Sequence, residues 1–392
     1  INAMISIIAI IPIINPSMII GPIIAVRLKT GFFWYYLEEI PRAPKIKDEQ
    51  EYPMVIMPFD DRNTCAFRVL VYKRRIAVEF FHSLTDGNGA LIFLKSLVAE
   101  YLQQKYGIRI PAEHGVLGRL EEPSPAELED SFQKYSGTVS ASRQERTAWR
   151  LKGTPETGGF LNVTCFELST KEVLAKAHEY NVSLTTFLCA AMMMAMQNLQ
   201  KESVPNPRRR KPLKVLIPVN LRKLFPSRTL RNFALYTTPE ILPQLGEYTF
   251  EEICQAIRHR MGLDITPKQM SMKIATNVNS ERIMAVRLMP LFIKNMVMKA
   301  VFDSVGEKKS CLTLSNLGAV RLPEEMLPYV ETMDFILGVQ ATAPYNCGVL
   351  SYGDKLRMHF IRNIREPKLE YHFHCVLRDM GLCAQVQSNR PN

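Results

Sequence analysis

The chain has 392 residues, of which 47% are hydrophobic and 22% charged. That is a globular mix, which excludes a largely disordered or collagen-like chain and leaves ample material for a core. The net charge of +11 admits a nucleic acid, an anionic membrane or a phosphorylated ligand as partner.

The first 24 residues stand apart: twelve are Ile, and no charge precedes Arg27. A spanning helix needs about 20 uninterrupted apolar residues. Pro12, Asn15, Pro16, Gly21 and Pro22 break the run, so no membrane span is expected. A secretory signal needs a basic start, and none is present. Ile1-Asn2-Ala3-Met4 is similar to an expression-tag scar before a native Met, and the Ile blocks after it read as placeholder residues. Residues 1–24 are therefore set aside as unreliable.

Cys65 to Tyr72 and Ile76 to Phe81 are β-rich runs around Lys73-Arg74-Arg75 and predict a hairpin. A compact turn, His82-Ser83-Leu84-Thr85-Asp86-Gly87-Asn88-Gly89, follows. Leu91, Leu94, Leu97, Val98, Tyr101 and Leu102 then predict a helix from about Ala90 to Tyr106. Residues 111–158 are Pro-punctuated and polar, and read as a crossover between two halves. The second half opens with a strand, Leu161 to Leu168, and a helix to Tyr180 capped by Ser169 or Thr170. An apolar helix runs from Leu184 to Leu199, its Met192-Met193-Met194 run read as core filler. Val215 to Pro218 is a short strand. Phe250 to Met261 and Ser280 to Val301 read as amphipathic helices. Cys311 to Ser315, Met333 to Gly338, Gly348 to Tyr352 and Leu356 to Ile361 read as strands, and Glu366 to Met380 as the closing helix.

The shared strand–helix rhythm suits an α/β protein of two similar subdomains, residues 1–155 and 156–392. The basic clusters Lys73-Arg74-Arg75 and Arg208-Arg209-Arg210-Lys211 fall in turns, without interleaved aromatics or zinc-finger spacing. They point to solvated loops, and nucleic acid is not an expected partner. The eight Cys form no C-x-x-C pair and several lie in apolar runs, the pattern of reduced, buried thiols. A cytoplasmic setting is expected. His372-x-His374 falls on a helix with no third ligand nearby in sequence, so no metal is expected.

The strongest chemical signal is His82-x-x-x-Asp86-Gly87. A histidine at a strand end before a tight turn is held rigidly with its tip towards a cleft. Gly87 and Gly89 let the backbone turn, and Asp86 is placed to pin the loop through an ion pair. Alone, without Asp86-Gly87 and the later segments, His82 would read as a satisfied core histidine.

With this context the sequence resembles the coenzyme-A-dependent acyltransferase superfamily, which includes the BAHD acyltransferases, the condensation domains of peptide synthetases, the chloramphenicol acetyltransferases and the alcohol acetyltransferases. Two further segments carry the resemblance. Val219-Asn220-Leu221-Arg222-x-Leu224-Phe225-Pro226, followed by Arg231-Asn232-Phe233, is similar to the family's conserved-Arg segment. Leu314-Ser315-Asn316-Leu317-Gly318 is similar to its Ser/Thr-Asn-Leu-Gly strand, while Met333-Asp334-Phe335 only loosely echoes an Asp-Phe-Gly-Trp-Gly element. The likeness spans roughly residues 60–390 and is strongest to the bacterial alcohol-acetyltransferase-like branch. The chain departs from the pattern at Phe81, where the family commonly has a first His. It departs again at the N-terminus, where an ordered first strand and helix would stand in place of the Ile-rich stretch.

The resemblance implies a chloramphenicol-acetyltransferase-like fold with a tunnel between the halves. It implies an acyl-coenzyme A thioester as co-substrate and a small alcohol or amine as acceptor. His82 would be the general base, with no covalent acyl-enzyme. Asp86 would pair with Arg222, and with Gly87 the two would support the catalytic loop. Ser315 and Asn232 are candidate oxyanion or substrate contacts, although residues of these types more often serve to satisfy backbone groups. The Arg208–Lys211 loop is a candidate for steering coenzyme A phosphates. Two alternatives remain open: an acyl group delivered on a carrier protein, and a non-catalytic binding module on the same fold.

Overall fold

The computed structural model describes residues 4–10, 25–40, 44–50, 52–55, 57, 65–118, 121–140, 146–301, 309–339 and 343–390. Phe67–Tyr72 and Arg75–Phe81 pair antiparallel around a two-residue turn, in which Lys73 takes a φ of 50°. Positive φ at the tip matches the twist of the flanking strands. Met4–Ile10 pairs with the other edge of Arg75–Phe81, and Thr332–Leu337 pairs beyond it. With the short Lys47–Asp48 they form a five-stranded sheet.

The Met4–Ile10 stretch, set aside in the sequence, thus has a defined place. Successive β-branched residues suit a strand covered on both faces, and Ile7 and Ile8 enter two different cores. Residues 11–24, with the first helix implied by the resemblance, lie outside the described residues.

The helix Gly87–Tyr106 covers one face of this sheet. Leu94, Val98, Tyr101 and Leu102 pack with Ile7, Val69, Val78 and Phe335. It begins three residues before its apolar spacing does, because Asp86 caps it. Among its described residues the crossover contains two short helices, Pro125–Leu128 and Ser131–Lys134.

The second sheet runs in the order Glu240–Ile241, Leu213–Asn220, Leu312–Val320, Tyr345–Tyr352, Lys355–Arg362, Asn162–Ser169 and Gln385–Ser388, with Ala234–Thr237 beside Leu213–Asn220. The helices Thr170–Glu179, Leu184–Ser203, Phe250–Asp264 and Lys368–Asp379 supply the rest of its core, and Met192 and Met193 are fully buried there. Burial raises the thiols of Cys254 and Cys311 to about 12, which leaves them inert. Among the described residues no single helix is long and apolar enough to cross a membrane. The helix expected from Ser280 to Val301 is instead three pieces, Pro267–Arg282, Met284–Leu288 and Leu291–Val301. Extended backbone at Ile283 and Met289, with Pro290 behind the latter, interrupts it.

The protein is therefore α/β, with two subdomains built on mixed sheets. The sequence halves do not map simply onto them, because Thr332–Leu337 leaves the second half to join the first sheet. There it leans on Tyr345–Tyr352 so closely that a Cβ on Gly348 would overlap the Phe335 carbonyl. A layer of buried charge accompanies that crossing. Asp334 Oδ1 accepts from Arg357 Nε at 2.5 Å and lies 3.3 Å from His359 Nε2, while Arg357 also pairs with Glu167. Burial pushes the Asp334 carboxyl up, but His359 and Arg357 outweigh it and hold it at about 2. Burial pushes His359 down, but Asp334 outweighs it and raises the imidazole to about 10.

Candidate active site

The strand Arg75–Phe81 ends where the Phe81 carbonyl accepts from the Leu84 N–H. His82 stands on this turn, half-buried, and among the described residues its side chain makes no hydrogen bond or ion pair. Everything after it is tied down. Asp86 Oδ1 accepts the N–H groups of Asn88 and Gly89, both at 3.1 Å, which starts the helix. Asp86 Oδ2 accepts Arg222 Nη1 at 2.6 Å and the Phe233 N–H at 2.9 Å. One carboxylate thus caps a helix of the first subdomain and anchors a loop of the second.

Arg222 commits four of its five N–H groups. Nε donates to the Thr229 carbonyl at 2.8 Å, Nη2 to the Arg231 carbonyl at 2.6 Å and Nη1 also to Asn220 Oδ1 at 3.3 Å. Asn220 caps the short turn at the end of the Leu213–Asn220 strand by accepting the Arg222 N–H. A planar guanidinium with a fixed fork of donors suits this task better than a lysine.

The third segment meets the same turn. The strand Leu312–Val320 shifts register against Tyr345–Tyr352 between Asn316 and Ala319. Gly318 takes a φ of 82°, and its N–H donates to Asn316 Oδ1 at 2.8 Å. A bulge of this kind re-aims the local side chains. Leu317 packs so tightly on Gly87 that a Cβ there would lie 2.6 Å from its methyl. Asn316 Nδ2 donates to Thr185 Oγ1 at 3.1 Å, which ties the segment to the second core.

The structure thus brings Asp86, Gly87 and Arg222 into one cluster next to His82. Asn232 joins through its neighbour Phe233, and its Oδ1 is buried without a partner among the described residues, a state that calls for a functional explanation or a water. Ser315 is buried opposite Gly348, on the face turned away from Leu312 and Leu314 in the larger core. Neither side chain hydrogen-bonds His82 among the described residues.

Thr85 was missed in the sequence. Its hydroxyl donates to the Leu230 carbonyl at 2.7 Å and so fastens the turn to the Arg222 loop a second time. Nothing in the composition of the turn singles it out. The exposed Lys223, Arg228 and Arg231 were missed too, and they give this loop a basic rim. The Arg208–Lys211 candidate sits before the start of the Leu213–Asn220 strand, some 25 Å from Arg222 at about 3.3 Å per residue. Arg210 there is buried on the Val204 carbonyl, as in a structural loop. His372 and His374 do not converge. His372 lies 3.3 Å from Glu202, and His374 packs by Phe166.

No protein-family model matches the sequence, and no curated protein sequence is significantly similar to it. Solved structures do match. The complex of Fusarium graminearum TRI101 with coenzyme A and deoxynivalenol superposes with a TM-score of 0.63 at 10% identity, covering 98% of this chain and 96% of that one. Polyketide synthase associated protein 5 from Mycobacterium tuberculosis gives 0.59 at 14% identity over 96% and 93%. The first condensation domain of the CDA synthetase gives 0.57 at 12% over 96% and 91%. The chain shares the fold of these structures, TRI101 and a condensation domain among them. Within that fold, His82 lies where the two subdomains are bolted together.

Proposed function

We propose that the protein is an acyltransferase that moves an acyl group from a coenzyme A thioester to a hydroxyl or amine acceptor, with His82 as general base and no covalent acyl-enzyme. The Asp86–Arg222 ion pair carries this reading. It locks the turn after His82 across both subdomains and leaves the imidazole uncommitted among the described residues. A general base needs that rigidity and access, and imidazole is the side chain whose titration lies nearest neutrality.

In this reading the acceptor lies between the subdomains, gives its proton to His82 and attacks the thioester carbon. The thioester supplies the acyl group and a thiol leaving group. Asn232 and Ser315 are the side chains proposed to donate to the developing oxyanion. Lys223, Arg228 and Arg231 are proposed to attract the phosphates of the donor, in place of the distant Arg208–Lys211 loop. Thiol release from acetyl-coenzyme A with a panel of alcohols and amines tests the reading: His82→Ala should abolish it while keeping the fold. Turnover by that variant at the wild-type rate would sink it.

A second reading changes only the donor. The likeness to a condensation domain and to a polyketide synthase associated protein favours an acyl group held on a carrier protein, to which the same basic rim would be complementary. Competing free acyl-coenzyme A against acyl-carrier protein separates the two donors.

A further inference from the structure

Two segments away from the site reverse the usual order of inside and outside. The hairpin of Ala25–Thr30 and Tyr35–Ile40 carries Phe32, Trp34, Tyr35, Tyr36 and Leu37 exposed around its tip. The helix Leu291–Val301 lies on that tip. Its Leu291 N–H donates to the Phe32 carbonyl at 2.8 Å and Lys294 Nζ to the Phe33 carbonyl at 2.8 Å. The Lys294 ammonium also sits 3.3 Å from the centre of the Trp34 ring. In this helix the lysine is inside, 6% exposed, and Phe292 and Met296 are outside, 68% and 71% exposed. Met284 and Leu288 of the preceding helix are exposed too. Contiguous apolar surface of this kind marks an interaction site.

Charge narrows what can cover it. Residues 283–301 contain Arg287, Lys294 and Lys299 and no Asp or Glu; on the hairpin Arg27 and Lys29 pair with Glu38, and its tip 30–37 carries no charge. A second copy meeting the same patch would set like charges opposite each other. Apolar side chains mixed with Trp and Tyr, and the exposed cations Arg287 and Lys299, match an anionic lipid surface, with the rings at headgroup depth. We propose that the hairpin tip 31–37 and the helices of 283–301 together form an interfacial docking surface for an anionic bilayer. The surface is mechanically continuous with the site. The Val26 carbonyl accepts the Ala66 N–H at 2.8 Å, and the Ala66 carbonyl accepts the N–H of Phe81, the residue before His82, at 2.9 Å. The proposal stands apart from the acyl-transfer reading, because docking needs no acyl donor.

The full chain is tested by co-sedimentation with vesicles of phosphatidylcholine alone and of phosphatidylcholine mixed with phosphatidylglycerol. Trp34 emission is read in a Trp149→Phe background. The expected result is binding to the mixed vesicles with a blue shift, weakened by salt. Phe292→Glu with Met296→Glu should lower affinity at least about tenfold, since one such side chain loses a full burial, and should leave the thermal midpoint unchanged. Arg287→Glu with Lys299→Glu should remove the preference for mixed vesicles. Three results would each overturn the proposal: no binding to either vesicle, equal binding by the Phe292/Met296 variant, or a concentration-dependent dimer or carrier-protein complex that this variant dissolves in place of vesicle binding.

Discussion

Arg222 and Asp86, 136 positions apart in sequence, meet at 2.6 Å with both side chains largely shielded from water. Removing either partner leaves the other as an unpaired buried charge, which typically costs about 3–5 kcal/mol. Asp86→Ala also removes the helix cap, worth about 1 kcal/mol. Asp86→Ala should therefore be the most destabilised variant, Arg222→Ala close behind, and Asp86→Asn milder because it can still cap. Urea unfolding checks the order. Wild-type stability in Asp86→Ala would show that the pair bears no load.

His82 is different in kind, since its half-buried side chain makes no hydrogen bond or ion pair among the described residues. His82→Ala should leave thermal stability within about 0.5 kcal/mol of wild type, as for other partly exposed positions without special contacts. Its acyl-transfer rate should fall by about 10²–10⁴-fold, the usual contribution of a positioned base. Steady-state kinetics beside a thermal melt measures both, and a loss of activity that tracked a loss of fold would assign His82 a structural role instead.

Much of this was legible in the sequence because the signals are local. The hairpin before His82, the Asp86 turn and the Leu184–Ser203 helix each declare themselves through apolar periodicity, caps and turn residues within one short window. Asp86 and Arg222 could be paired only through a resemblance, since no local pattern links residues so far apart. Thr85 escaped notice because its partner is a backbone carbonyl, which any residue supplies. The helix break at Met289 was signalled by Pro290, which the apolar spacing around it outweighed, whereas the break at Ile283 has no Gly or Pro to mark it. The hairpin 25–40 was missed because its exposed aromatics do not alternate with polar residues as a half-buried strand would.

The two glycines of the turn after His82 should differ in tolerance. A Cβ on Gly89 would overlap Thr85 Oγ1 and lie 2.5 Å from the Leu230 carbonyl oxygen, the two groups that bolt the turn to the Arg222 loop. Backbone cannot move aside cheaply, so Gly89→Ala should cost about 1–3 kcal/mol or more, as overpacking does. A Cβ on Gly87 meets only a Leu317 methyl at 2.6 Å, which a rotamer change can relieve. Gly87→Ala should be the milder variant, and Leu317→Ala should rescue it. Thermal melts of the three variants decide this, and equal losses at both glycines would contradict the close approach of Leu230.

The buried Asp334–His359 pair gives the protein a characteristic dependence of stability on pH. His359 is raised from 6.5 to about 10, so its contribution is complete below pH 6.5 and is lost as pH rises through 10. Asp334 is lowered from 3.8 to about 2, so its contribution is complete above pH 3.8 and is lost as pH falls through 2. By linkage the pair stabilises most between these two ordinary values. Unfolding free energy should then decline on the alkaline side from pH 6.5 towards 10. In His359→Gln the part of that decline between pH 6.5 and about 8 should vanish, because the titrating group is gone; at higher pH the buried Cys254 and Cys311 thiols, raised to about 12, contribute a decline of their own. In Asp334→Asn the same part should also vanish, because the imidazole loses the anion that holds its proton, while Arg357 keeps Glu167 as a partner. Urea unfolding between pH 6.5 and about 8, below the ordinary thiol range, tests the pair directly: a slope there that survives in both variants would place the titration elsewhere in the molecule.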